Sequence, residues 1–347
     1  MAPPVGFREI VGGSDLETLE GDEDGQYVIM RCFAVASLVL LSLGCGGEGG
    51  AGGGTVSIRV DRPAFDATRA FEDLETQVAF GPRIPGSEGH ALQLAWLESR
   101  LLELADTVFL EPFEHVTEEG HELSLTNIVA RFASDDGGRI LLLTHWDTRP
   151  RADRSPDEAD RDLPVPGAND GASGTAVLLE LARMFKVQPP PGGVDLLFSD
   201  GEDYGPSTAD MFLGARHYVT TLSGEDSPAF AILLDMVGDA DLQIFYEKTG
   251  MRDANTKKLM IDIWGVAARL GIREFVRRGK FELTDDHLPL IHTARIPTCD
   301  IIDYDYPNHS RGNIYWHTEA DTLDKCSALS LAKVGYVVHS WLKAINR

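Results

Sequence analysis

The chain has 347 residues, of which 43% are hydrophobic and 25% are charged, a composition typical of a globular protein with one large domain or two ordinary ones. Its 55 Asp and Glu residues outnumber its 31 Lys and Arg residues, so the formal net charge is −24. Because nucleic acids are bound mainly through Lys and Arg, this charge argues against a nucleic-acid partner and against binding to anionic membrane surfaces. The four cysteines form no CxxC pair, so a metal site would need His, Asp and Glu ligands.

The N-terminal segment differs in composition from the rest of the chain, and we expect it to lie outside the fold. Residues 1–29 carry seven acids and one base, the wrong sign for the start of a signal peptide, so we interpret them as untranslated or disordered. Residues 30–45 contain an apolar run of signal-peptide length that is too short to cross a bilayer as a helix. An apolar stretch buried in the domain is the alternative. We interpret the Gly-rich residues 46–60 as a flexible tether before one folded domain at residues 61–347.

The end of the apolar run, Ser42-Leu43-Gly44-Cys45, resembles a bacterial lipoprotein signal, in which cleavage before the cysteine leaves that residue lipidated. The resemblance implies that Cys45 is a lipidation site. We therefore expect an exported protein, in the bacterial periplasm or anchored to the outer membrane, that reaches a membrane only through this lipid.

Beyond the tether, helical and strand-like segments alternate, which predicts an α/β fold. The predicted helices are Ala91–Leu104 and Gly174–Phe185, and the predicted strands are Arg139–Thr144, Val194–Ser199 and Phe230–Asp235. Short apolar strands of this kind are typical of a largely parallel sheet that is covered by helices on both faces. Such sheets bind ligands beyond the carboxyl ends of their strands, so polar residues there are candidates for function.

Two polar segments lie close to the first of these strands. The strand leads into His145, and Asp147 two residues later could orient the imidazole toward a metal. Asp170 lies in a loop of small residues before a helix, where backbone and metal can approach closely. A structural histidine and an ordinary helix-capping aspartate are the alternatives at these two places.

Three further segments place acids and a histidine at comparable positions. The second predicted strand runs into Glu202 and Asp203, where one carboxylate can bind a metal while its neighbour serves as a general base. The third strand ends in Asp235, and His317 follows much later. Each residue could be a surface polar group by itself. Five such groups at strand ends of one sheet predict a metal site built from His, Asp and Glu.

These motifs resemble those of the zinc aminopeptidases of metallopeptidase family 28 and of the related glutaminyl-peptide cyclotransferases, in the same order from about Phe71 to Trp341. The resemblance implies a three-layer α/β sandwich with a mostly parallel mixed central sheet, and one catalytic domain over residues 61–347. The implied zinc ligands are His145 and Asp235 for one ion, Asp170 as the bridge, and Asp203 with His317 for the other ion. Glu202 matches the general base of the family. Asp203 departs from the pattern, because the family usually has Glu there.

Two segments resemble the cyclotransferase branch more closely. Thr284-Asp285-Asp286-His287 is similar to an Asp-Asp-His segment of these enzymes, and Trp316-His317-Thr318 is similar to their Trp-His-Thr. The implied substrate contacts are Asp285 and Asp235 for the amine and the leaving nitrogen, Trp316 as an apolar wall, and His287. Asp300 departs from the pattern, because it stands where cyclotransferases have a histidine.

The resemblance implies a zinc-dependent enzyme that converts the N-terminal glutamine of peptides or proteins to pyroglutamate, with one zinc ion held by Asp170, Asp203 and His317. The alternative is an aminopeptidase with two zinc ions that removes N-terminal residues, since the two activities share nearly every site residue. A receptor-like domain that has lost catalytic activity is a third hypothesis. Such a domain would be expected to lack some of the metal ligands, and none of them is missing from the sequence.

Two further features have no place in this pattern. The acidic segment Asp153–Asp162 has no EF-hand spacing, so we expect a solvated surface loop. A disulfide between Cys299 and Cys326 would suit an exported protein, although sequence alone does not give their separation.

Overall fold

The computed structural model describes residues 64–133, 138–223, 227–307 and 313–345, and it assigns two short strands before them, β1 (Leu19–Gly21) and β2 (Tyr27–Ile29). The predicted signal segment, with Cys45, and the predicted tether lie outside the described residues and stay predictions. The interpretation of residues 1–29 as untranslated or disordered also stays a prediction. No helix in the described part of the chain is long and apolar enough to cross a membrane.

Strands and helices alternate along the chain. The remaining strands are β3 (Thr107–Val116), β4 (Glu122–Phe132), β5 (Ile140–His145), β6 (Val194–Ser199), β7 (Phe230–Asp235), β8 (Ile244–Tyr246), β9 (Phe275–Gly279) and β10 (Thr298–Ile302). The helices are α1 (Ala67–Ala79), α2 (Glu88–Leu104), α3 (Ala172–Val187), α4 (Leu213–Thr221), α5 (Ala254–Leu270), the short α6 (His287–Pro289) and α7 (Ala328–Ile345).

The larger sheet has the strand order β1-β2-β3-β4-β6-β5-β7-β10 in the residues that the structure describes. One half is parallel, because β5 pairs in parallel with β6 and β7, and β10 pairs in parallel with β7. The other half, from β1 to the β4/β6 pair, is antiparallel. The predicted mixed α/β architecture is therefore confirmed, and the parallel half brings the carboxyl ends of β5, β6 and β7 to one edge.

The central strands are buried on both faces, and this fixes the position of their ends. Leu142 of β5 packs in a core with α1, α2, α3, α5 and α7, whereas its neighbours Leu141 and Leu143 pack on the opposite face with Tyr218 of α4. Every residue of β5 and β6 is buried. Because a one-residue slip would exchange the two faces, packing on both sides holds the register firmly.

The strands and helices predicted from the sequence are present in the structure, but some of their ends differ from the predicted bounds. β6 and β7 have the predicted bounds, and β5 begins and ends one residue later than predicted. Helix α2 begins three residues earlier, because the Ser87 side chain accepts a hydrogen bond from the backbone N–H of His90 at 3.1 Å and caps the helix.

Both cysteines in the described residues are free, so the disulfide considered for an exported protein is absent. Cys299 lies inside β10 and is fully buried in the core. Cys326 lies elsewhere, in an isolated β-bridge with Asp239.

Candidate active site and metal centre

The first group of possible metal ligands surrounds His145 at the end of β5. Its Nε2 atom lies 3.1 Å from Asp170 Oδ1 and 3.2 Å from Asp235 Oδ1, and His145 is 1% exposed. One ligand atom from each of the three residues lies within 4.8 Å of the others. The structure therefore brings together the His145, Asp170 and Asp235 side chains that the family resemblance implied for one ion.

The second group contains Asp170, Asp203 and His317, whose ligand atoms also lie within 4.8 Å of one another. His317 Nε2 is 3.1 Å from Asp203 Oδ1 and 3.7 Å from Asp170 Oδ2. Asp170 belongs to both groups, with Oδ1 facing one histidine and Oδ2 facing the other. This is the position expected of a bridging carboxylate.

The route by which these residues reach the site differs from the sequence expectation. His145 and Asp235 end strands β5 and β7, as predicted. Asp170 lies in the loop before α3, also as predicted, but His317 lies well beyond the end of β10 in a turn with a φ of 55°. The loop position predicted for Asp170 is therefore confirmed, whereas the expectation of a strand end is wrong for His317, which reaches the site on a loop.

The Asp170 loop is held by its backbone. The Asp321 carboxylate accepts hydrogen bonds from the N–H groups of Asn169 at 2.8 Å and Asp170 at 3.1 Å. Gly171 has a φ of 98°, and a Cβ atom there would lie 2.5 Å from the Asp147 carbonyl oxygen. Only glycine fits this close approach, which sets the direction of Asp170 beside His145.

Asp147 connects the two halves of the site. Its carboxylate accepts hydrogen bonds from the backbone N–H groups of Glu202 at 3.0 Å and Asp203 at 3.2 Å. Its Oδ1 atom also lies 3.5 Å from His145 Nδ1, on the side of the ring that faces away from Asp170. One carboxylate therefore positions both the histidine and the loop that carries the acid pair.

Sequence reasoning missed Arg149 and Asp153. Arg149 donates hydrogen bonds to Asp203 Oδ1 at 2.7 Å and to Asp153 Oδ2 at 2.8 Å. Asp153 Oδ1 lies 3.6 Å from His317 Nδ1. The expected solvated loop is therefore correct for most of the segment that follows, but its first residue, Asp153, belongs to the site. The contacts join separate loops, so no local sequence pattern marks them.

The adjacent acids Glu202 and Asp203 differ in electrostatics. Burial raises the pKa of Asp203, but His317 and Arg149 oppose it more strongly and lower the pKa to about 2. Burial raises the pKa of Glu202 well above its usual range, although nearby His145 opposes the rise. Burial and the Asp203 charge raise the pKa of Asp170 to about 7.

Asp285 is a further buried acid at this site. It is 5% exposed, and its Oδ1 atom accepts a hydrogen bond from the backbone N–H of Asp286 at 2.5 Å. Burial, followed by the charges of Asp235 and Asp286, raises the pKa of Asp285 well above its usual range. Asp285 in turn raises the pKa of Glu202, so these acids share one electrostatic environment.

The two remaining predicted site residues differ in accessibility. The half-buried Trp316 ring stacks on the His317 ring with centroids 3.7 Å apart, so it forms a side of the site. His287 is fully buried, with Nε2 3.4 Å from Glu247 Oε2 and Nδ1 3.6 Å from Asp300 Oδ2. A substrate contact of His287 stays a prediction.

The residues of the second group fit a zinc ion. Asp170 Oδ2 is buried and has no hydrogen-bond partner in the described structure, so it has lone pairs available for a cation. One imidazole and two carboxylates form a donor set that zinc accepts. The first group, around His145, offers the same set of donors.

Comparison with known proteins agrees with this geometry. The family model described as peptidase family M28 matches residues 127–342. A Zn-dependent exopeptidase from Parabacteroides distasonis is 32% identical with a TM-score of 0.77, and the match covers 81% of this chain and 99% of that one. The glutaminyl cyclase of Bacteroides thetaiotaomicron is 33% identical with a TM-score of 0.77 and the same coverage of both chains.

A curated relative, aminopeptidase YwaD of Bacillus subtilis, is 30% identical over 179 residues, which are 50% of this chain and 36% of the relative. The match therefore spans little more than a third of that protein. The family model covers well over half of the chain and includes each candidate zinc ligand of both groups. The chain therefore belongs to peptidase family M28.

Proposed function

We propose that the protein is a zinc-dependent glutaminyl-peptide cyclotransferase, which converts an N-terminal glutamine to pyroglutamate and releases ammonia. The observation that carries the proposal is the buried acid Asp285, which lies close enough to Glu202 and Asp235 for their charges to interact. The cyclotransferase pattern has an acid at this place, and typical aminopeptidases lack it. Similarity to bacterial glutaminyl cyclases supports the proposal.

The reaction needs one group that accepts a proton and then returns it. The α-amine attacks the side-chain amide carbon, a C–N bond forms, and the amide C–N bond breaks to release ammonia. Glu202 would take the proton from the amine and deliver it to the departing nitrogen. Burial raises the pKa of Glu202 well above its usual range, which suits a carboxylate that must hold a proton between the two steps.

The other side chains would hold the substrate in place. The proposed zinc ligands are Asp170, Asp203 and His317. When bound, zinc supplies a Lewis acid that polarises the amide carbonyl. Asp235 and Asp285 would accept hydrogen bonds from the amine and the leaving nitrogen, and the Trp316 ring would exclude water from one side.

A zinc aminopeptidase that hydrolyses N-terminal residues from peptides is the second candidate. It is favoured by the group around His145, which shares Asp170 with the other group and would complete a two-zinc site. Glu202 would then take a proton from water instead of from the amine. Similarity to a Zn-dependent exopeptidase supports this candidate.

Two substrates distinguish the candidates. The full chain, loaded with zinc, is incubated with a glutaminyl peptide and with an aminoacyl anilide, and ammonia and free aniline are followed in parallel. We expect ammonia from the glutaminyl peptide and little aniline. Release of aniline without ammonia would contradict the cyclotransferase proposal and support the aminopeptidase.

The variant Asp285→Asn tests the residue that carries the proposal. We expect cyclisation to fall about 10- to 100-fold, because a hydrogen bond to a charged group contributes about 1.5–3 kcal/mol. Any anilide hydrolysis should change much less. Asp303→Asn is the matched control, since Asp303 is a fully buried acid that accepts a hydrogen bond from the Gln243 N–H at 2.7 Å. Equal losses of both activities in Asp285→Asn would favour the aminopeptidase.

A further inference from the structure

A third group of possible metal ligands begins at Asp285 and extends away from the two groups described above. It contains Asp285, His287 and Asp300, and one ligand atom of each lies within 4.8 Å of the others. His287 is fully buried, and Asp300 is 1% exposed. We propose that these three residues form an additional metal site for a divalent cation of the zinc class, separate from the two groups that share Asp170.

Unpartnered polar atoms point into this cluster. Neither carboxylate oxygen of Asp300 has a hydrogen bond within the described residues, and neither has His287 Nδ1, the ring nitrogen that faces Asp300. Buried polar groups are nearly always hydrogen-bonded, so three such atoms on two neighbouring side chains need an explanation. A cation between them would satisfy an Asp300 oxygen and a His287 nitrogen at once.

The negative charge of the cluster also favours a bound cation. Asp286 and Glu247 adjoin it, so four carboxylates surround one imidazole. In the described parts of the chain, no Lys or Arg forms an ion pair with any of the four. Glu247 and Asp286 accept hydrogen bonds from backbone N–H groups and from Ser199, whereas neither oxygen of Asp300 does. A buried charge without a partner costs several kcal/mol, so a proton or a cation must neutralise Asp300.

Geometry favours a cation over shared protons. A protonated carboxyl group is a hydrogen-bond donor, so a proton on Asp300 would need an acceptor. Asp300 has no hydrogen bond to Asp285 or to any other side chain that the structure describes. Its oxygens are placed like metal ligands, with Oδ2 3.6 Å from His287 Nδ1.

The Nε2 side of the His287 ring contacts a carboxylate that would orient His287 as a metal ligand. His287 Nε2 lies 3.4 Å from Glu247 Oε2. Glu247 is itself fixed, because its carboxylate accepts backbone hydrogen bonds from Thr249, from Gly250 at 2.6 Å and from Leu283 at 3.1 Å. A carboxylate behind a ligating histidine fixes the tautomer and strengthens the other nitrogen as a ligand.

The additional site is compatible with the proposed role of Asp285. A carboxylate has about four lone-pair sites, and the Asp286 N–H uses one of them. Asp285 can therefore bind a cation and still accept a hydrogen bond from a substrate amine.

Zinc content measured on the full chain tests the proposal without reference to activity. Wild type, His287→Gln and Asp300→Asn are loaded with zinc, desalted and analysed for zinc per chain, with circular dichroism to verify folding. The controls are His292→Gln, an exposed histidine outside the cluster, and Asp303→Asn, a buried acid three residues from Asp300. We expect each cluster variant to hold about one zinc fewer than wild type and each control to match wild type.

Equal zinc content in wild type and both cluster variants would overturn the proposal. A loss of zinc in Asp303→Asn as large as in Asp300→Asn would also overturn it, because the effect would then be structural. If both cluster variants fail to fold, the double variant His145→Ala/His317→Ala decides, since it removes the histidines of the two other groups. About one zinc per chain retained in that variant supports the additional site, and none retained refutes it.

Discussion

The surroundings of Glu202 and Asp203 divide the chemistry between two adjacent acids. Arg149 and His317 both contact Asp203 and lower its pKa to about 2, against the effect of burial. Glu202 is also buried, but among the described residues it forms an ion pair with His145 alone, at 3.9 Å, so burial dominates and raises its pKa. An acid that stays ionised suits a metal ligand, and an acid that can hold a proton suits a general base.

The variant Glu202→Gln tests this division. Glutamine keeps the size of the side chain but cannot accept the proton, so turnover should fall by roughly the 100- to 10,000-fold that general base catalysis contributes. Zinc content should stay at the wild-type level, because Asp203 is the proposed ligand. Both quantities are measured on the same zinc-loaded preparation.

Asp203→Asn is the paired control for that experiment, and it should lose zinc as well as activity. If Glu202→Gln loses zinc while Asp203→Asn retains it, the two roles are exchanged. Unchanged turnover in both variants would show that neither acid takes part in the reaction.

At the scale of the elements, β3 carries a buried acid that the active site does not use. Glu111 is 7% exposed and lies opposite Asn127 of β4 in the antiparallel ladder. Burial raises the pKa of Glu111 to about 7, although a side-chain hydrogen bond with Asn127 opposes the rise. The folded protein therefore favours the uncharged form of Glu111.

This shift predicts a pH-dependent stability. Because the folded pKa of about 7 lies above the usual value of 4.5, the favourable contribution of Glu111 is full below pH 4.5 and is lost as pH rises through about 7. Glu111→Gln cannot ionise, so at pH 8 it should be more stable than wild type by about 1–3 kcal/mol. At pH 4.5 the two proteins should be nearly equal.

Urea unfolding at both pH values measures the difference. Exposed Glu114, three residues further along β3, provides the control variant Glu114→Gln, which should show no such dependence on pH. A stability gain for Glu111→Gln that is the same at pH 4.5 and pH 8 would contradict the assigned cause.

At the scale of the whole molecule, the composition of the N-terminal segment predicts where the protein is located. We propose that the chain is exported and held at a membrane through lipidated Cys45, with peptide or protein N-termini as substrates. The net charge of −24 disfavours direct adsorption to an anionic membrane surface.

Cell fractionation and mass spectrometry test this location. We expect the mature chain to begin at Cys45, to carry lipid and to sediment with membranes, and Cys45→Ser should release it into the soluble fraction. The finding of an unmodified Met1 terminus in the cytosol would contradict export.

The sequence by itself determined the central strands and the chemical character of the site. Strands buried on both faces are mostly apolar, so β6 and β7 are visible as apolar runs despite Asp195 in β6, and the polar residue at the end of such a run marks the strand end. His145 and Asp235 could be placed in this way. Helix ends are not marked in this way, because a cap such as Ser87 depends on a single side-chain contact.

Only the tertiary structure decided which groups act together. Asp170 and His317 are 147 positions apart, and Arg149 reaches Asp203 across two loops, so their contacts depend on how the loops pack over the sheet edge. The cluster of His287 with Asp300 and Glu247 has the same origin. A local pattern records the periodicity of one element, whereas a buried charged site is assembled from several elements, and its pKa values follow from that assembly.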